Sequence, residues 1–258
     1  MLRRLDQLYG MTVHAEDGDA GTVDDVYFDD ETWRVRYLVV DTGGWLSGRR
    51  VLISPLGVDV VTWEDLEVVE TSLAKEQVEN SPDIDLRKPV SRQQMLELHE
   101  YYGWPVYWGG SKTLGTAAVG IYPFVMAGVD EIEEEMEEKE DTEHYRGDPH
   151  LRSAREVDGY LIHARDGHIG HVDDFFLSEE GWLLRYLVVD TRNWLPGREV
   201  MISPDWVERV NWSKKEVYVN LTQDKIENSP ELESGQQTVG RNYEEELYEY
   251  YGFPRYWA

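Results

Sequence analysis

A chain of 258 residues with 52 acidic and 25 basic side chains carries a formal charge of −27, which repels phosphate backbones and argues against nucleic-acid binding. Its 41% hydrophobic and 12% aromatic content is enough for packed cores, and the lack of cysteine excludes disulfide frameworks, thiolate metal sites and cysteine nucleophiles. At about 100–200 residues per domain, the length accommodates two small units.

The opening MLRRLDQLYG has no apolar h-region, so no secretory signal is expected. Residues 11–15 read as a strand, closed by the hairpin signal Asp17-Gly18 and followed by a second strand at 22–28. WRVRYLVVD at 33–41 alternates, with Trp33, Val35, Tyr37 and Val39 on one face and Arg34, Arg36, Leu38 and Val40 on the other. The second face turns apolar toward its end, as in a strand that bends around a small barrel and becomes covered on both sides. Strands at 49–53, 59–63 and 67–70 complete about six. A short helix is predicted over 72–80, ended by Pro82, and another over 91–102, with Ser91 as N-cap and Gly103 as stop.

Beyond that helix comes YYGWPVYW (101–108), five aromatics in eight residues around a Gly and a Pro. Residues 109–150 differ in character: a Gly-rich exit, the apolar stretch 117–128, then the acidic run 130–141. The apolar stretch is short of the roughly 20 residues a spanning helix requires, so no membrane span is expected, and the chain reads as cytoplasmic.

From residue 151 the pattern repeats. At an offset of 149 positions, 26 of the 46 residues from Gly10 to Pro55 are identical to those from Gly159 to Pro204. The aromatic phrase returns as YYGFPRYW at 250–257. The chain therefore divides into a first repeat with its tail (1–108), an acidic linker (109–150) and a second repeat with its tail (151–258), a pseudo-symmetric pair that could stand as a monomer or build a homodimer.

The combination DG-x-x-G-x-V-D-D followed by W-x-x-R-Y-L-V-V-D-T, covering residues 10–70 and 159–219, resembles the PRC-barrel family in tandem form. That superfamily is similar across the cytoplasmic domain of the photosynthetic reaction-centre H subunit and the C-terminal domain of the ribosome maturation factor RimM. The resemblance implies a mainly β fold of two small barrels with short helices and aromatic C-terminal tails, acting by contact with other macromolecules. It implies no catalytic residues.

The residues add little chemistry of their own. Asp24-Asp25 and Asp173-Asp174 are adjacent on strands and point to opposite faces unless a bulge intervenes. DGHIGHVDD (166–174) adds His168 and His171, but the first unit has Asp19 and Thr22 there, so no metal or other cofactor is expected. His14 and His163 recur mid-strand and read as structural. Asp41 and Arg49, repeated as Asp190 and Arg198, are expected to pair across a loop base. No hydrolase elbow, P-loop or dinucleotide fingerprint occurs, and no enzyme activity is expected.

The aromatics are the candidate contact residues. Trp45 and Trp194 sit at loop tips, and Tyr101, Tyr102, Trp104, Trp108, Tyr250, Tyr251, Phe253 and Trp257 lie in the tails. Such tails must bury themselves, and they are expected to clasp the two units together. The reading is a non-enzymatic module for protein interaction or assembly. The alternatives are a factor associated with ribosomes or RNA processing, and a barrel pair binding a small ligand or metal.

Overall fold

A computed structural model describes residues 1–46, 48–64, 67–82, 84, 90–106, 148, 150–191, 199–233 and 235–257. The first repeat contributes β1 (Leu2–Arg4), β2 (Thr12–Ala15), β3 (Gly18–Asp29), β4 (Val35–Asp41), β5 (Arg50–Ile53), β6 (Val58–Thr62), β7 (Val68–Thr71), α1 (Lys75–Glu79) and α2 (Arg92–Tyr102). The second contributes β8 (Leu151–Ser153), α3 (Ala154–Val157), β9 (Leu161–Ala164), β10 (Gly167–Ser178), β11 (Leu183–Asp190), β12 (Glu199–Ile202), β13 (Val207–Asn211), β14 (Glu216–Val219), α4 (Gln223–Glu227), β15 (Thr238–Val239) and α5 (Arg241–Tyr251).

The fold is mainly β, in two sheets of the same design. One runs β5-β4-β3-β2-β7-β6 and the other β12-β11-β10-β9-β14-β13. Each long central strand, β3 or β10, is bulged twice where it pairs with the next strand, and bulges bend a strand so that it can serve two packing faces. The expected switch of faces along β4 follows: Val35, Leu38 and Val40 join the main core, while Tyr37 and Val39 join an outer cluster with Met95 and Leu98 of α2. Gly21 and Gly170 permit the close approach of backbones there, because a Cβ at either would collide with the carbonyl of Asp41 or Asp190.

Both tail helices end as their sequences dictate. Ser91 and Gln94 form a capping box at α2, and Gly103 and Gly252 adopt the left-handed conformation that stops α2 and α5.

The units are joined by strand exchange. β1, at the start of the first repeat, pairs with β10 of the second, with Arg4 opposite Phe176. β8, at the start of the second, pairs with β3 of the first, with Ser153 opposite Tyr27. One buried core accordingly contains Leu2, Leu5, Leu8 and Phe28 together with Val157, Phe175, Tyr186 and Trp206. Asp148 and His150, in the stretch expected to be linker, pack on the first unit: the Asp148 N–H donates to Val90 O, and the Asp30 N–H donates to His150 O.

Candidate interaction clefts between the two units

The paired acids receive the exchanged segments. A bulge does intervene, at Val23/Asp25 and at Val172/Asp174. Asp25 is buried and accepts from Ser153 Oγ (2.6 Å) and from the Arg155 N–H (3.2 Å), so it caps α3 of the other repeat. Asp174 does the reciprocal task, accepting from the Asp6 N–H at 3.5 Å, with Arg4 beside it. Burial raises the pKa of both carboxyls, that of Asp174 to about 8, with the nearby Asp6 charge adding to the rise. Arg4 itself is buried and ion-pairs with Glu199.

The turns that follow β3 and β10 meet at the pseudo-two-fold. Asp29 Oδ1 accepts from the Glu31 and Thr32 backbone N–H groups, and the turn holds Trp33 at φ 56°; its mate Trp182 has φ 53°. Left-handed backbone at a bulky residue costs on the order of 1–3 kcal/mol, and packing must offset it. Trp33 stacks on Phe28 at 5.3 Å, and the Val35 N–H donates to Trp182 O while the Leu184 N–H donates to Trp33 O, each at 2.8 Å. This strain explains why the strand expected from Trp33 begins at Val35.

On either side of this junction lies a cleft. The larger, 440 Å³, is lined by Asp30, Glu31, Trp33, Arg152, Val210 and Trp212 among others. The smaller, 150 Å³, is lined by the matching Glu179, Trp182, Val61 and Trp63. In each, the exchanged strand delivers an arginine. Arg152 Nε donates to Asp30 Oδ2 (2.9 Å) and its guanidinium lies 4.4 Å from the Trp212 ring centroid; Arg3 Nε donates to Glu179 Oε1 (2.7 Å) and lies 5.5 Å from Trp63. His150 Nδ1 donates to Asp30 Oδ1 at 2.9 Å, a bond that raises the imidazole pKa. The edge strands β6 and β13 border these clefts.

Residues 2–68 match the PRC-barrel domain. The second repeat reproduces the strand order of this PRC-barrel match at an offset of 149 residues. An uncharacterised protein of Deinococcus radiodurans is 37% identical over 87 residues, 33% of this chain and 31% of that protein, so the match spans under a third of the relative's length. Among the described residues, no helix is long and apolar enough to cross a membrane.

Among the described residues, the ring contacts of the aromatic tails fall within their own units rather than clasping the partner unit. Tyr102 stacks on Trp104 at 4.3 Å, and Trp104 packs edge-on to His99, all within the first unit. Tyr251 and Phe253 pack on Trp206 at 4.7 and 5.2 Å, and Trp257 on Tyr248 at 5.0 Å, all within the second. Tyr101 and Tyr250 keep exposed rings and donate to Gln77 O and Lys225 O of their own units. The reason is reach: each tail follows a helix already lying on its own outer core, whereas the strands that cross are the N-terminal ones. Trp108 and Trp194 lie outside the described residues, as does the side chain of Trp45. In the first unit, Asp41 of the pair expected at the loop base accepts from the Gly43 N–H while Arg49 donates to the carbonyls of Glu79 and Pro82; Arg198 of the second pair lies outside the described residues.

Sequence reasoning missed the exchange and the Trp33, Trp63, Trp182 and Trp212 set. The signal was present: Leu2-Arg3 and Leu151-Arg152 stand 149 residues apart, as do both tryptophan pairs.

Proposed function

We propose that the chain is a non-catalytic protein-interaction module whose two clefts receive extended segments of a protein partner along the edge strands β6 and β13. The observation that supports it is the repeated set of an acidic turn, an arginine and two tryptophans beside an edge strand, on both sides of the pseudo-two-fold. Edge strands offer unsatisfied backbone groups to an added strand, and aromatic side chains offer rigid area for contact. The polar groups in the larger cleft are engaged in holding it together, since Asp30 binds both His150 and Arg152, which favours a docking role over a catalytic one.

The test is affinity capture with the full chain at the native salt concentration, beside a Trp63→Ala/Trp212→Ala variant. The reading expects a protein retained by the wild type and lost by the variant. Ribosomal particles held equally by both would favour the ribosome-associated alternative.

A further inference from the structure

We propose that the second unit binds one divalent transition-metal cation through His171, Asp173 and Asp190, zinc being the ion that best fits one imidazole nitrogen and two carboxylate oxygens. His171 and Asp173 stand two apart on β10, and Asp190 sits directly opposite His171 on β11. His171 and Asp190 share a face as a directly opposed pair, and the bulge at Asp173, between Val172 and Asp174, brings a second carboxylate near them. One donor atom from each lies within 4.8 Å of the others. His171 Nε2 and Asp190 Oδ2 are 3.7 Å apart, too far for a hydrogen bond. Two ligands about 2.1 Å from a tetrahedral ion stand roughly 3.4 Å apart, so the His171–Asp190 pair is already near the required spacing.

The independent support is how the two repeats differ at this place. The first unit has Thr22, Asp24 and Asp41 at the matching positions, and Arg50 neutralises Asp24 at 3.0 Å. In the second, Glu199 replaces that arginine, Asp158 replaces Tyr9, and Asp6 stands where Arg155 stands at the first site. Asp6 and Asp158 are near enough to Asp173 to feel its charge. Arg4 lies 3.5 Å from Asp173 and pairs with Glu199, one guanidinium against the carboxylates of Asp6, Asp158, Asp173 and Glu199. Between the copies, His171, Glu199, Asp6 and Asp158 add donors or negative charge and Arg50 and Arg155 have no counterpart here, while Arg4, standing where Ser153 stands at the first site, is the one added cation. Non-repetition, which made a metal unexpected from sequence, is thus the mark of one copy having specialised. His168 takes no part: its ring packs against His163 at 5.5 Å.

Zinc chloride titrated calorimetrically into the chelator-treated full chain, in molar NaCl to screen diffuse counterion binding, should show one ion per chain. Loss of even an outer-shell partner costs roughly 10–100-fold in metal affinity, so His171→Ala and Asp190→Asn should each weaken binding at least about 100-fold. Asp24→Asn, at the matching place in the first unit, should leave it unchanged. His171 is partly exposed, so His171→Ala decides the matter should the buried Asp190→Asn fail to fold. Absence of stoichiometric binding, retention of affinity in His171→Ala, or equal affinity for calcium overturns the proposal.

Discussion

At His99 both ring nitrogens are engaged: Nδ1–H donates to Pro105 O at 2.9 Å, and Nε2 then accepts from the Tyr37 hydroxyl at 2.7 Å. Burial lowers its pKa, because the charged ring loses its water. The unfolded chain takes up a proton near pH 6.5 that the folded one refuses, so stability should fall as pH drops below that value, by up to about 1.4 kcal/mol per pH unit. Urea unfolding at several pH values should show a steeper loss for wild type than for His99→Gln. Trp206 is the other decisive side chain, buried among Tyr186, Tyr248, Tyr251 and Phe253. Trp206→Ala should cost about 3–5 kcal/mol by the same measurement, and a loss under about 1 kcal/mol would mean the tail packs loosely.

Among the elements, those set by nearby residues were legible in the sequence. The strands at 11–15, 22–28 and 49–53 and the helix at 91–102 appear close to their expected positions, because alternation, the Ser91 cap and the Gly103 stop act within a few residues. What was not legible depends on distant partners. Nothing local in Leu2-Arg3-Arg4 says that β10, rather than β3, will receive it. The tails misled for a related reason: their aromatic content requires burial but does not say against which unit. At the candidate site, Asp24-Asp25 was visible as a repeated pair, yet its task depends on a bulge and on a segment from the other repeat. Removing residues 1–8 should therefore loosen the second unit, seen as faster hydrogen exchange in β10 and β11; a change confined to β2 and β3 would contradict the exchange. Arg4→Ala should cost about 3–5 kcal/mol, since it leaves the largely buried Glu199 carboxylate without its partner.

The molecule as a whole behaves as a dimer written into one chain, because each unit lends the other its first strand. A fragment of residues 1–106 should then associate in pairs, β1 of one copy filling the place of β8 on the other, and sedimentation showing only monomer would count against this. The charge of −27 acts on the whole surface too. Screening should raise the melting temperature between low and molar NaCl.

The crossing of β8 onto β3 also sets a timetable for synthesis. The first sheet is translated early, but the strand that completes it, Leu151–Ser153, begins 80 residues after β7 ends at Thr71. At roughly 5–20 residues per second that interval is on the order of ten seconds, during which the β3 edge and its apolar neighbours stand open on the ribosome. The nascent chain is thus a natural client for chaperones that shield unpaired strands, and neighbouring chains on one polysome have time to trade their first strands before each can fold back on itself.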